Sequence, residues 1–257
     1  MPDPASVTAV TADDHALAAR AAEEAGRFLV GLRAELEAAG MWPYAVGDEG
    51  DRQAHHRIVD QLRRERPDDA VLSEEGWDDP RRLDAARVWI VDPVDGTREF
   101  SEPGRTDWAV HVGLVVDGRP VAGAVALPAL GLTLGTADPP PLPPRRPGPP
   151  RLVVSRTRPP HQALRVRDAL GGQLVPLGSA GAKAMAVVLG EADAYVHAGG
   201  QYEWDSCAPA AVALAAGLHA SRLDGSPLVY NRRDPWLPDL LVCRPELADA
   251  VLDAVHG

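Results

Sequence analysis

The sequence predicts an α/β protein of stacked layers, α+β in its layering, and three observations carry that expectation. Two long helical stretches stand before any strand, a tight β-hairpin follows a short apolar strand, and beyond a proline-rich break helices and strands alternate. That order favours helices packed on mixed sheets over an all-parallel barrel, which would repeat one strand-helix unit along its length.

Residues Asp13 to Ala39 are rich in Ala, Leu, Glu and Arg with apolar side chains at helical spacing, and Gly40 ends the stretch. A second helix is expected from Arg52 to Glu65, closed by Pro67 and two aspartates. Strands follow at Ala70 to Leu72 and at Val88 to Val91. Trp108 to Val116 and Val121 to Leu127 flank the turn Asp117-Gly118-Arg119-Pro120, which reads as a hairpin and hence an antiparallel sheet. From Asp138 to Pro150 the chain reads DPPPLPPRRPGPP, where proline lacks the donor that a helix interior or a central strand needs. A boundary is placed there, with residues 1–137 as an N-terminal α+β half, 138–150 as a proline-rich linker that defaults to a mobile surface loop, and 151–257 as a C-terminal α/β half. The second half opens with a strand from Leu152 to Ser155 and a helix from His161 to Leu170. Ala182 to Leu189 reads as a helix, Ala194 to Val196 as a strand, and a further helix is expected from an N-cap at Asp205 to Ala216, ended by Gly217.

Composition bounds the function. The chain of 257 residues carries a formal charge of -11, which disfavours nucleic acid polymers and anionic membranes as partners but leaves acid clusters free to take cations. No apolar stretch approaches the roughly 18 residues of a membrane span. The N-terminus MPDPASVTAVTADDHA lacks the basic start of a signal peptide, and Cys207 and Cys243 lie among apolar neighbours, so a reduced cytoplasmic setting is expected. The eight histidines show no spacing that suits zinc.

Three acidic clusters each end or begin an element in an apolar setting. In WIVDPVDGTREF, Pro93 biases Asp92 towards extended backbone, placing it at the final strand position, and Gly96 permits a turn that brings Asp95 back towards the same point. Paired carboxylates suit hard cations, and the Gly96-Thr97 backbone beside them suits phosphate. Cation ligands next to an anion cradle are what phosphoryl chemistry requires. Taken alone, Asp-Pro-x-Asp-Gly is equally an ordinary surface turn. VLSEEG sets Glu74 and Glu75 after a strand, a placement solvated loops share, and EWDSCAPAAVALAAG sets Asp205 at a helix start, a placement N-caps share.

WIVDPVDGTREF, with SEE before it and WDSCAPAAVALAAG after it, resembles the two signatures of the lithium-sensitive, magnesium-dependent inositol monophosphatase-like phosphatases. The resemblance runs from Gly50-Asp51-Arg52-Gln53 to the C-terminal strand and implies the αβαβα sandwich of inositol monophosphatases and fructose bisphosphatases. DGTREF, where inositol monophosphatases more often carry DGT-x-Asn-Phe, and GSAGAKAM resemble the CysQ-type 3′(2′),5′-bisphosphate nucleotidases. With SRLDGSPLVYN, the chain looks closest to actinobacterial members of that group.

The resemblance implies that Glu74, Asp92 and the Val94 carbonyl hold one Mg²⁺, that Asp92, Asp95 and Asp205 hold a second, and that a third rests on Glu74 and water, with Mn²⁺ an acceptable substitute. It makes Asp51 and Thr97 the pair that orients and deprotonates the attacking water, with Glu74 among the catalytic acids. Gly96, Thr97, Ser179, Lys183 and Arg98 become candidate substrate contacts; for Lys183 a surface lysine, and for Arg98 and Glu99 rim charges, are the alternatives. The activity implied is removal of the 3′-phosphate from 3′-phosphoadenosine 5′-phosphate, a by-product of sulfate assimilation, to leave AMP. Inositol monophosphatase or fructose-1,6-bisphosphatase activity shares the same metal residues, and a regulatory protein that binds metal and nucleotide without turnover shares the fold. A homodimer is the expected assembly.

Two departures stand out. The second signature ends in Gly217-Leu218 where Gly-Gly is common, and MWPYAVGDEGD precedes Asp51 where relatives carry Lys and Thr in a loop. The second puts third-metal geometry and lithium sensitivity in doubt.

Overall fold

The computed structural model describes residues 9–256; the N-terminal reading of residues 1–8 lies outside them. Helix α1 (Ala12–Ala38) starts from a capping box in which Thr11 and Asp14 satisfy one another's backbone donors. Helix α2 (Pro43–Glu65) lies against it. Strands β1 (Ala70–Ser73), β2 (Arg87–Asp95), β3 (Ala109–Val116), β4 (Arg119–Leu127) and β5 (Leu132–Gly135) form one sheet in chain order, β1 and β2 parallel and the rest antiparallel. The expected hairpin is β3 to β4, and Asp117 and Gly118 both take positive φ, 50° and 74°, as its two-residue turn demands.

The second sheet runs β7-β6-β8-β10-β9, from β6 (Arg151–Ser155), β7 (Gln173–Leu177), β8 (Ala194–Tyr202), β9 (His219–Ser221) and β10 (Trp236–Cys243). Its helices are α4 (His161–Leu170), α5 (Ala180–Val188), α6 (Glu203–Ala215) and α7 (Ala248–His256), and the single-turn α3 (Thr97–Ser101) follows β2.

Strand periodicity sorts these elements into five layers. Trp89 and Val91 face α1 and α2, whereas Val88 and Ile90 join a central cluster with Met185 of α5, Val212 of α6 and Tyr195, Leu240 and Val242 of the second sheet. Leu152, Val154 and Leu241 turn to the outer face of that sheet, under Ala163, Val166 and Val251. The result is an αβαβα sandwich, with α5 and α6 sealed between two sheets. Each large apolar side chain so buried contributes about 1.5–3 kcal/mol.

Four expectations are corrected. Helix α2 begins at Pro43, nine residues before Arg52, so the segment before Asp51 is helical. Pro43 has the fixed φ suited to the first turn, where a missing N–H costs nothing. Gly47 and Gly50, which lower helix propensity, are there for clearance: a Cβ on Gly50 would stand 2.5 Å from Phe100 Cε1. Gly50→Ala is therefore expected to destabilise the fold by about 1–3 kcal/mol, outweighing the roughly 1 kcal/mol that alanine brings to a free helix; a thermal melt equal to or above wild type would show that Phe100 yields.

Strand β2 does not stop at Val91 but continues to Asp95, with a register irregularity between Asp92 and Asp95, so Asp92 is not its last residue. Asp205 is the third residue of α6, where its carboxylate accepts the Tyr202 N–H at 2.6 Å, and is not the N-cap. Residues 138–150 do lack regular structure, but Leu142 packs against the central cluster and the Pro143 carbonyl accepts Arg244 Nη2 at 3.0 Å, which fastens this stretch to the second sheet. The central cluster draws residues from both sides of it.

Candidate active site

The irregularity in β2 builds the site. Asp92 pairs in register with His111 on β3 and Asp95 with Ala109, so two residues of β2 span the bulge and both aspartates reach the same end of the sheet. Helix α6 arrives from the second sheet with Asp205 in its first turn. Carboxylate oxygens of Asp92, Asp95 and Asp205 lie within 4.8 Å of one another. Glu74 follows β1, the parallel neighbour of β2, and its backbone N–H donates to the Val91 carbonyl at 3.2 Å, which holds it beside the cluster.

The acids differ in how their charge is supported. Asp95 receives the Ala180 and Gly181 N–H groups (2.9 and 2.5 Å) and the Ser179 hydroxyl at the start of α5, and His111 Nε2 sits 3.1 Å away as an ion-pair contact off the hydrogen-bond direction. Burial pushes the Asp95 carboxyl upward, but His111 and these donors outweigh it and hold it well below the usual range. Asp92 is 1% exposed, and its Oδ1 has no partner. Burial, then Glu74 and Asp95, push Asp92 far above an ordinary carboxyl, and burial and Asp95 push Asp205 up to about 6. Glu74 is shifted upward by burial and by Asp205, less firmly than the others because the residue as a whole stands exposed.

Asp51 projects from α2 into this cluster. It is 6% exposed, its Oδ1 is unpartnered, and burial with Glu74 pushes it up to about 8, partly offset by the Thr97 hydroxyl. Thr97 also donates to the Val94 carbonyl at 3.2 Å. Unpartnered oxygens on two buried acids, crowded by more carboxylates, are what a divalent cation relieves, and an all-oxygen donor set suits Mg²⁺ or Mn²⁺. The residues present therefore fit such an ion.

Gly96 turns the chain from β2 into α3 with φ 85°, and a Cβ there would lie 3.0 Å from that of Ser179. This close approach joins the DGT turn to the start of α5. A cleft of about 430 Å³ opens beside the acids, lined by Asp95, Gly96, Ser179, Lys183, Gln201 and Asp205 among others. The Lys183 ammonium is buried and donates to the Gly178 and Ser179 carbonyls, so two of its three N–H groups are engaged. Arg98 does not reach the cleft wall and pairs at 3.2 Å with Glu102 on the rim. Glu99 is buried against Arg156 at 2.6 Å, an ion pair that ties α3 to the second sheet. Tyr202 lines the cleft and stacks on Trp204 at 4.7 Å.

His111 belongs to none of the sequence motifs. It is wholly buried, with Nδ1 3.0 Å from the Trp204 carbonyl and Nε2 facing Asp95. Burial disfavours its charged form, yet Asp95 raises its pKa above the ordinary histidine value. The available signal was a lone basic residue inside the apolar run Ala109 to Val116.

A family model for the inositol monophosphatase family matches residues 13–138 and 151–256, leaving out the proline-rich segment between them. The 3′-phosphoadenosine 5′-phosphate phosphatase of Mycobacterium tuberculosis is 54% identical over 246 residues, covering 90% of this chain and 89% of that protein. The 3′(2′),5′-bisphosphate nucleotidase CysQ of Escherichia coli is 34% identical over 201 residues, covering 73% and 80%. Among solved structures, CysQ from Bacteroides thetaiotaomicron, a bacterial member of the inositol monophosphatase family, superposes with a TM-score of 0.78 at 26% identity, covering 90% and 97%. The chain belongs to the inositol monophosphatase family, whose members are metal-dependent. Within it, this protein is a phosphatase of the CysQ type, a phosphoric monoester hydrolase. Among the described residues, no helix is long and apolar enough to cross a membrane.

Proposed function

We propose that the protein removes the 3′-phosphate of 3′-phosphoadenosine 5′-phosphate with the help of Mg²⁺. The convergence of Asp92, Asp95 and Asp205 within 4.8 Å beside a nucleotide-sized cleft carries this reading. The substrate is that of the mycobacterial relative at 54% identity.

Glu74, Asp92, the Val94 carbonyl, Asp95 and Asp205 would hold two or three ions. Such ions offset the charge of the phosphate and make water more acidic. The chain's own groups then divide the work. Asp51 lies against the Thr97 hydroxyl, and its raised pKa suits an acceptor for the proton of the attacking water near neutral pH. Thr97, anchored on the Val94 carbonyl, orients that water. His111 and the α5 backbone keep Asp95 ionised and in one orientation, while Asp92, without donors of its own, is left for the cation. Gly96 and Ser179 border the place of the scissile phosphate, and Lys183 has one N–H to offer a second phosphate.

Phosphate release from adenosine 3′,5′-bisphosphate compared with inositol 1-phosphate tests the substrate. A kcat/KM at least about tenfold higher for the nucleotide is expected; comparable values would overturn the nucleotide reading and leave a broader phosphomonoesterase.

A further inference from the structure

The wall of the cleft formed by β8 carries a group for which the acid centre has no use. Gln201 lies opposite Leu237 of β10, is 6% exposed and lines the cleft, and neither its amide oxygen nor its amide nitrogen has a partner. Among the described residues lining the cleft it alone has buried side-chain atoms left unpaired. Its polar neighbours are satisfied: His197 meets the Gly200 carbonyl at 2.9 Å and the Tyr195 hydroxyl at 3.2 Å, and Lys183 holds two carbonyls. A buried carboxamide with both groups unpaired is costly, and an apolar side chain of similar volume would avoid the cost. A ligand that supplies the missing donor and acceptor explains why an amide stands there.

The surroundings say what shape that ligand has. The Trp236 indole also lines the cleft and is 45% exposed, and it lies so near Gly200 that a Cβ there would be 2.6 Å from its Nε1. At Gly199 no atom lies within 4 Å of where a Cβ would be, so the floor is open. An aromatic wall, an open backbone floor and an amide with one donor and one acceptor fit a flat heteroaromatic ring with a neighbouring acceptor and donor.

We propose that Gln201 is a specificity-determining residue that reads the nucleobase, with Trp236 as the wall beside it. Its oxygen accepts from the exocyclic amino group of adenine and its nitrogen donates to N7 on the same edge, the two-for-two match of a carboxamide with this base. On that edge hypoxanthine offers two acceptors, O6 and N7, so whichever way the carboxamide is turned one bond is lost and its oxygen faces an acceptor. This inference rests on the nucleotide reading of the same cleft.

The test compares wild type with Gln201→Met on adenosine 3′,5′-bisphosphate, inosine 3′,5′-bisphosphate and inositol 1-phosphate, alongside thermal melting. Wild type is expected to favour adenosine over inosine by roughly tenfold in kcat/KM. The variant should bring that ratio to within about twofold of one, lose proportionally less on inositol 1-phosphate than on the adenosine nucleotide, and melt at or above the wild-type temperature. Retention of the ratio in the variant overturns the assignment, as does an equal loss on all three substrates with a lowered melting temperature, which marks a structural glutamine. A wild type that does not distinguish adenosine from inosine overturns it whatever the variant does. If wild type hydrolyses inositol 1-phosphate as readily as the nucleotides, the nucleotide reading itself fails and takes this inference with it, whereas nucleotide preference with an unaltered ratio removes only the role of Gln201.

Discussion

Asp92→Asn is expected to lower kcat/KM for the nucleotide on the order of 10³-fold while the protein still folds. Asp92 is the central acid of the cluster: it shares β2 with Asp95, faces Asp205, and is pushed upward by burial and by Glu74, Asp95, Asp205 and Asp51 together. Asparagine keeps its shape and removes the charge a cation would neutralise. In the metal-free protein the same change removes a carboxyl that is disfavoured when ionised, so the variant should melt at or above wild type, with a gap that widens as pH rises. Wild-type turnover by the variant would show that Asp92 is not a ligand. A variant that lost its fold would show that the carboxylate is needed for structure, which the unpartnered Oδ1 argues against.

The second large effect is a dependence of stability on pH that cations reverse. Asp51 is held at about 8 in the folded protein against 3.8 for an ordinary aspartate, so between those values the folded state binds the extra proton. Its contribution is fully present below the unfolded pKa and is lost as pH rises towards 8. At 1.36 kcal/mol per pH unit, Asp51 alone removes about 4 kcal/mol from pH 5 to pH 8, roughly 10 °C in melting temperature for a chain of this size. Asp92 and Asp205 shift in the same direction. Asp14 and Asp95 act oppositely. Burial raises both, but Arg87 on the first and His111 on the second outweigh it, so their contribution is lost as pH falls below the ordinary carboxyl range. The metal-free protein should therefore be most stable near pH 5, and Mg²⁺ should raise its melting temperature far more at pH 8 than at pH 5.5. A metal-free protein that grows more stable from pH 5 to pH 8, or a Mg²⁺ effect independent of pH, would contradict the crowding of these acids.

Much of this architecture was legible because local signals agreed with the global fold. The hairpin turn at Asp117-Gly118, the helix ends at Gly40 and Gly217, and the three acidic clusters each have a short-range cause that survives in the folded chain. What was not legible depended on contacts distant in sequence. Gly47 and Gly50 read as a loop because their reason for being glycine is α3, where Thr97 and Ser101 crowd the first and Phe100 the second, some fifty residues away. The continuation of β2 through Pro93 needed a bulge that only pairing with β3 reveals. His111 looked like one polar residue in an apolar strand until the bulge of β2 and the first turn of α6 brought Asp95 and the Trp204 carbonyl to its two nitrogens. Glu99 and Arg98, adjacent in sequence, part company in the fold: one is buried in an ion pair between the two sheets, and the other stays on the rim.

Anomalous scattering from crystals of the active protein soaked with Mn²⁺ and adenosine 5′-phosphate tests the metal centre most directly. Density is expected between Asp92, Asp95 and Asp205, with a further peak towards Glu74 and the Val94 carbonyl, and the nucleotide in the cleft beside Gly96 and Ser179. Crystals of protein that releases phosphate from adenosine 3′,5′-bisphosphate, but that show no metal at Asp92, would contradict it.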